Sequence, residues 1–169
     1  YCSTLYEANM PISNQMKLEY KYVIKRESTI RFFNFIRNNM PGMVYNFKIG
    51  ELKFQETVCS RQPGKSSFVS NLGKNLRGSK VFKVGHKQPY CQGDYDFYWI
   101  NKNDFSNEFY VIPEFALIDH GYIQTEFQEG KKYLSLSEKF EWIDKYRFSY
   151  ETINEEKEKN RLCGLICQN

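Results

Sequence analysis

Acidic residues are absent from a long central stretch of the sequence. No Asp or Glu occurs between Thr57 and Gly93, although the net charge of the whole chain is only +4. The basic residues of this stretch are Arg61, Lys65, Lys74, Arg77, Lys80, Lys83 and Lys87. Segregated positive charge suits an anionic partner such as a nucleic-acid backbone. A solvated basic loop has the same composition, so the charge alone does not separate the two interpretations.

Several other features are missing or scarce. No apolar run approaches the length that crosses a bilayer and no signal peptide is recognisable, so we expect no membrane partner. The only two histidines are His86 and His120. Neither has a nucleophile at a recognisable spacing, which argues against Ser/His/Asp and Cys/His catalysis.

The cysteines are odd in number and dispersed along the chain: Cys2, Cys59, Cys91, Cys163 and Cys167. This pattern does not match the disulfide framework of a small secreted domain. We therefore expect mostly reduced thiols and an intracellular, reducing compartment, whether nucleus, cytoplasm or virion. Cys163 and Cys167 are four residues apart and could share a helix face as half of a metal site.

The composition is that of a folded domain. Aromatic residues make up 17% of the 169 residues and apolar residues 41%, which is enough for one hydrophobic core. We divide the chain into an N-terminal arm or strap at 1–18, one α/β domain at 19–150 and a charged C-terminal tail at 151–169. The arm is a candidate contact for protein neighbours.

The clearest local pattern is a β-hairpin at residues 43–58. Apolar and polar residues alternate on both sides of Gly50-Glu51, as in two strands joined by a tight turn. A turn centred there places Asn46 opposite Gln55, and cross-strand partners point to the same face. Asn46, Gln55 and Thr57 therefore share one face, which is an unusually polar set for a surface that should pack.

Further elements surround the hairpin. Ser28-Thr29 can cap a helix that runs to Arg37, and residues 94–100 and 108–112 have the aromatic and β-branched composition of strands. A second helix is expected from about Ser137. The order helix, hairpin, basic loop, strand, strand, helix predicts an α/β fold with a mixed β-sheet flanked by helices.

This order of elements, with Phe54-Gln55-Glu56-Thr57 and the strands at 95–100 and 109–113, resembles the PD-(D/E)XK nuclease superfamily. The resemblance covers roughly residues 28–148, and its motifs are short. It implies a restriction-endonuclease-like core whose hairpin carries an Asp and then (Glu/Asp/Gln)-x-Lys. Asn46 lies where that Asp is expected. Gln55 and Thr57 lie where the glutamine form of the second motif has Gln and Lys.

Two departures from the motif argue against catalytic activity. A carboxylate helps to hold the Mg²⁺ or Mn²⁺ that such an enzyme needs, whereas the Asn46 amide offers only a neutral oxygen. Thr57 carries no charge and cannot replace the motif lysine. The resemblance therefore implies a domain that kept the fold, lost the chemistry and needs no cofactor.

An active site built from other residues is the alternative. Glu51 and Lys53 form a literal Glu-x-Lys at the turn, and Asp96 is a further carboxylate for such a shifted site. Asp94 and Asp96 are two residues apart and could share Mg²⁺ or Mn²⁺. Glu27 is a more distant candidate, for which a favourable position at a helix N-terminus is the simpler explanation.

Three functions are consistent with these patterns. The leading hypothesis is a catalytically degenerate, nuclease-like domain that binds nucleic acid, DNA rather than RNA, alone or inside a larger assembly. Its candidates for phosphate contacts are Arg61, Lys65, Lys74, Arg77, Lys80 and Lys83. Phe68 and Tyr90 could stack on bases but are better explained as core residues. The alternatives are an active metal-dependent endonuclease with the shifted residues, and a structural or scaffold component of a virion or another large complex.

Overall fold

The structure, a computed structural model, describes residues 14–30, 37–39, 46–59, 69–75, 87–103, 106–136 and 141–167. The described helices are α1 (Asn14–Ile30), α2 (Glu114–Asp119), α3 (Glu141–Asp144) and α4 (Glu156–Cys167). The described strands are β1 (Arg37–Asn39), β2 (Asn46–Ile49), β3 (Leu52–Cys59), β4 (Val69–Asn71), β5 (Gly73–Asn75), β6 (Lys87–Pro89), β7 (Phe97–Lys102), β8 (Glu108–Pro113), β9 (Tyr133–Ser135) and β10 (Arg147–Ser149). None of these four helices is long and apolar enough to cross a membrane.

Six of the strands form one mixed β-sheet in the order β1-β2-β3-β7-β8-β10. β2 and β3 pair as an antiparallel hairpin, and Gly50 supplies the left-handed φ of 60° in its turn. β3 pairs in parallel with β7, from Phe54 opposite Phe97 to Cys59 opposite Lys102. β7, β8 and β10 continue the sheet in antiparallel pairs. The mixed sheet confirms the predicted α/β class.

The two faces of the sheet have different coverings. One face, which we call the helical face, packs against α1 and α4. Its buried core includes Phe47, Phe54, Trp99, Phe109, Ile30 and Leu162. The opposite face, which we call the loop face, packs against α2, α3 and the connecting segments. Its buried core includes Tyr98, Ile100, Ile112, Leu72, Tyr90 and Leu117.

A buried polar network joins α1 to the helical face. The side chains of Arg26 and Glu56 are each 2% exposed. Arg26 donates from Nε and Nη2 to Glu56 Oε1 at 3.1 and 2.9 Å, and Asn101 Nδ2 donates to Glu56 Oε2 at 3.0 Å. The Tyr150 hydroxyl donates to Asn101 Oδ1 at 2.5 Å and accepts from Trp99 Nε1 at 3.1 Å. Both oxygens of the Glu56 carboxylate are thus hydrogen-bonded, which makes its burial tolerable.

The open edge of β10 is covered by a side chain of α4. Arg161 donates from Nη1 to the Lys145 carbonyl at 2.9 Å and from Nη2 to the Arg147 carbonyl at 2.5 Å. Its guanidinium carbon lies 3.9 Å from the centroid of the Phe148 ring. The next outward carbonyl, that of Ser149, accepts backbone N–H groups from the turn that follows. The carbonyls along this edge therefore have partners within the same chain.

The first helix differs from the prediction. It spans Asn14–Ile30, so Ser28 and Thr29 lie in its last turn and do not cap a new helix. The Thr29 hydroxyl donates to the Lys25 carbonyl at 2.9 Å, one turn back along the same helix. Glu27 lies near the C-terminal end of α1, where it forms an ion pair with Arg26. Its assignment to a helix N-terminus was wrong.

Other predicted boundaries differ from the structure. The strand expected from Asp94 begins at Phe97. The described part of the second predicted helix is α3, Glu141–Asp144, and residues 137–140 lie outside the described ranges. Residues 156–167 of the expected charged tail form α4, which buries Leu162 and Ile166 in the core of the helical face. The tail is therefore part of the packed domain. The first 13 residues of the expected arm lie outside the described ranges.

We expect Arg26→Met to cost about 3–5 kcal/mol of unfolding free energy, because it leaves a buried carboxylate without its cation. Urea denaturation measures this loss. Burial raises the pKa of Glu56, and Arg26 opposes that rise, so the folded-state pKa should rise further in the variant. A raised folded-state pKa means that stability is lost as pH increases through it. The deficit of the variant should therefore shrink as the pH falls.

Arg147→Met is the matched control. Arg147 forms an ion pair with Asp144 at 3.1 Å, but the two side chains are 46% and 54% exposed. Its removal should cost at most about 1 kcal/mol. Equal losses for the two variants, or a pH-independent deficit for Arg26→Met, would contradict the stabilising role of the network.

Candidate functional site

The polar face of the hairpin is present as the sequence predicts. Asn46 lies opposite Gln55, and Gln55 lies beside Tyr98 of the neighbouring strand β7. Thr57 lies beside Ile100. Because laterally paired residues point to the same side of a sheet, all of these side chains are on the loop face. The structure thus brings the three motif positions together.

Tyrosines from the segment 90–98 surround this polar set. Asn46 Nδ2 donates to the Tyr95 hydroxyl at 2.9 Å. The rings of Tyr90, Tyr95 and Tyr98 contact one another, with centroids between 5.4 and 5.8 Å apart. Tyr90 is only 7% exposed, so it belongs to the core and offers no free ring for base stacking.

The chemistry of the three motif positions is neutral. Asn46, Gln55 and Thr57 supply two amides and a hydroxyl, and neither a carboxylate nor an ammonium group. The hydroxyl oxygens of Thr57 and Tyr98 are buried and have no hydrogen-bond partner within the described residues. Burial, with smaller effects of Glu114 and Asp94, raises the pKa of Tyr98 far above its ordinary value. The Tyr98 hydroxyl therefore stays protonated and provides no anionic ligand.

The shifted-site candidates lie at one end of the sheet, where β3 begins and β7 starts. Asp96 Oδ2 accepts the Lys53 backbone N–H at 2.8 Å, and Lys53 Nζ donates to the Gly93 carbonyl at 3.0 Å. Asp94 Oδ2 accepts the backbone N–H of Cys91 at 2.9 Å and closes a turn. The structure therefore brings Lys53, Asp94 and Asp96 into one region. Glu51 is on the exposed hairpin turn.

Glu114 joins this acidic region and was not anticipated from the sequence. Its Oε2 accepts the Gly93 backbone N–H at 2.8 Å. Burial raises the pKa of Glu114, and Asp96 and Asp94 add to the rise. Each of the three acids Asp94, Asp96 and Glu114 accepts a backbone N–H.

The acidic region does not form a recognisable metal centre. Across the described ranges, no three His, Cys, Asp and Glu side chains are arranged to hold a metal ion. One oxygen of Asp94 and one of Asp96 accept hydrogen bonds from nearby backbone N–H groups. A cation shared by Asp94 and Asp96 stays a prediction.

The structure describes residues 57–59, 69–75 and 87–93 of the basic stretch. Leu72 is fully buried in the core of the loop face, and its backbone N–H donates to the Lys132 carbonyl at 2.7 Å. Lys74 lies in β5, whose partner is β6. The other predicted phosphate contacts, Arg61, Lys65, Arg77, Lys80 and Lys83, lie outside the described residues. The buried residues of the stretch, Cys59, Leu72 and Tyr90, lie in the core of the loop face, which carries the motif positions.

Sequence reasoning also missed the network of Arg26, Asn101 and Tyr150. One signal for it was available in β3. Its alternate positions Leu52, Phe54, Glu56 and Val58 are otherwise apolar, so a carboxylate at Glu56 implies a buried charge with a cationic partner. No comparable signal identifies Arg26 as that partner.

The sheet, its hairpin and the flanking helices define a restriction-endonuclease-like fold. Two solved structures share it. The crystal structure of MepB has 17% sequence identity and a TM-score of 0.52, with 80% of this chain and 97% of that chain covered. The bacterial homing endonuclease I-Ssp6803I has 17% identity and a TM-score of 0.51, with 92% of this chain and 99% of that chain covered.

These similarities confirm the predicted fold. At such low identity they carry no residue-by-residue correspondence. No protein-family model matches the chain, and no curated protein sequence matches it either. The function must therefore be argued from the candidate site itself.

Tyr95→Phe and Tyr98→Phe remove the same atom from neighbouring rings and should have different effects. Tyr95→Phe deprives the Asn46 amide of an acceptor and should cost about 1 kcal/mol of unfolding free energy. Tyr98→Phe removes a buried hydroxyl without a described partner and should leave stability unchanged or increase it. Parallel urea denaturation curves measure both. An equal loss for Tyr98→Phe would show that its hydroxyl is hydrogen-bonded.

Proposed function

We propose that this protein is a catalytically degenerate, nuclease-like domain that binds nucleic acid, DNA in preference to RNA. The observation that supports the proposal best is the register of β2 and β3. It places Asn46, Gln55 and Thr57 side by side on one face, and none of them carries a charge. A hard divalent cation prefers anionic oxygen ligands, so this face is poorly suited to hold the metal ion that phosphodiester cleavage uses in such enzymes.

Binding of nucleic acid is supported by the charge of the stretch between Thr57 and Gly93. Its seven Lys and Arg residues are not offset by any acid, and its residues Cys59, Leu72 and Tyr90 are buried in the core of the loop face. Lysines and arginines that meet phosphates fix position without reading bases. The expected binding is therefore weakly sequence-specific and strongly dependent on salt.

We expect the affinity for a labelled DNA duplex to fall linearly with salt on a double-logarithmic plot. Lys80→Glu/Lys83→Glu should weaken binding and lower the slope by about 1 for each phosphate contact that is lost. Fluorescence anisotropy over a salt series measures both quantities, and a parallel series with RNA tests the preference for DNA.

The control is Lys157→Glu/Lys159→Glu on α4, which changes the net charge equally at residues outside the basic stretch. It should bind nearly as the parent protein does. Binding that is insensitive to salt, or that both double variants weaken equally, would count against phosphate contacts by the basic stretch.

We expect binding without cleavage when supercoiled plasmid is incubated with the protein in Mg²⁺ or Mn²⁺. The neutral motif positions are the reason. Agarose electrophoresis with and without chelator measures nicking. Asn46→Asp/Thr57→Lys returns a carboxylate and an ammonium to the motif positions, so any gain of chelator-sensitive nicking in this variant would identify the face as a former active site.

An active endonuclease with a shifted site is the second candidate, because Lys53, Asp94 and Asp96 lie in one region together with Glu114. Lys53→Met is the variant that tests this candidate best. The described contact of the Lys53 ammonium is with the Gly93 carbonyl, so the substitution removes the charge together with this one described contact. Metal-dependent cutting by the parent protein that Lys53→Met abolishes would replace the first proposal with this one.

A further inference from the structure

The last two turns of α4 carry two thiols on one side of the helix. Cys163 Sγ and Cys167 Sγ are 3.6 Å apart. Cys163 is half-buried and Cys167 is exposed at the end of the helix. Residues four apart lie one above the other on a helix, so the spacing holds both sulfurs toward the same point.

The two reduced thiols are within hydrogen-bond distance of each other, and their separation also fits two ligands of one metal ion better than a disulfide. A disulfide needs about 2.05 Å. Two thiolates that bind one Zn²⁺ at about 2.3 Å in tetrahedral geometry are about 3.8 Å apart. The observed separation is therefore close to that of two ligands of one tetrahedral ion.

A structural Zn²⁺ takes four ligands, and this pair supplies two. Within the described part of the chain, no third His, Cys, Asp or Glu joins them in an arrangement that could hold a metal ion. The same pair from a second copy of the chain would complete a four-cysteine site. The missing ligands thus point to a second copy as the partner.

The surface around the thiols allows a second helix to approach closely. Asn160, Cys163, Gly164 and Cys167 follow one another on one stripe of α4. A Cβ atom added at Gly164 would meet nothing within 4 Å. No large side chain of this stripe stands between the two thiol pairs in such an arrangement.

We propose that Cys163 and Cys167 form half of a Zn²⁺ site that the same two residues of a second copy complete. Four thiols release their protons to the solvent as four zinc–sulfur bonds form, without any oxidation. The result is a metal-dependent dimer joined through α4. This proposal is independent of the proposed nucleic-acid binding and of the motif face.

Cobalt is the spectroscopic probe for this site. The reduced full-length protein is titrated anaerobically with Co²⁺ alone, then with Zn²⁺, while absorption and light-scattering mass are recorded. We expect thiolate-to-cobalt charge-transfer bands and tetrahedral ligand-field bands that saturate at one Co²⁺ for two chains. The mass should double with saturation, and Zn²⁺ should displace Co²⁺ with the dimer retained.

Cys163→Ser and Cys167→Ser should each abolish the bands and the change in mass. Cys167 is exposed, so its substitution leaves the core intact, which circular dichroism confirms. Cys91→Ser is the matched control and should behave as the parent protein. Saturation at one ion per chain without a change in mass, absence of thiolate bands, or bands that persist in the α4 variants would overturn the proposal.

Discussion

The parallel pairing of β3 with β7 is the interaction on which the rest of the structure depends. It places Gln55 beside Tyr98 on the loop face and Glu56 beside Trp99 on the helical face. Successive side chains of a strand point to opposite faces, so one strand supplies both the buried ion pair and the motif positions. A register shift of one residue would exchange the faces and place the Glu56 carboxylate among the tyrosines.

In this arrangement, the buried carboxylate of Glu56 in β3 has a structural role. Glu56 is adjacent in sequence to a motif position, yet it points to the helical face, where Arg26 of α1 and Asn101 of β7 hold both of its oxygens. The opposite face of the hairpin, which carries the motif positions, has amides, hydroxyls and tyrosine rings. The buried ion pair and the neutral motif positions are therefore two results of the same alternation along β3.

The sequence was most informative where the structure is local. The hairpin follows from a two-residue period and Gly50, and its register needed no distant contact. α1 was harder to predict because its inward positions, Tyr22, Arg26 and Thr29, include a charge and a hydroxyl that hide the apolar stripe. Their burial depends on partners far along the chain, such as Glu56. Glu114 entered the acidic region for the same reason, since the contact that places it comes from the distant residue Gly93.

Arg161 has a consequence for the behaviour of the chain at high concentration. The strands of this sheet are rich in Phe and Tyr, the composition that favours cross-β stacking once an edge is exposed. By occupying the carbonyls of Lys145 and Arg147, one arginine removes two of the acceptors at which an added strand would pair. At this edge, the Phe- and Tyr-rich strands that form the core are thereby kept from acting as a template for aggregation.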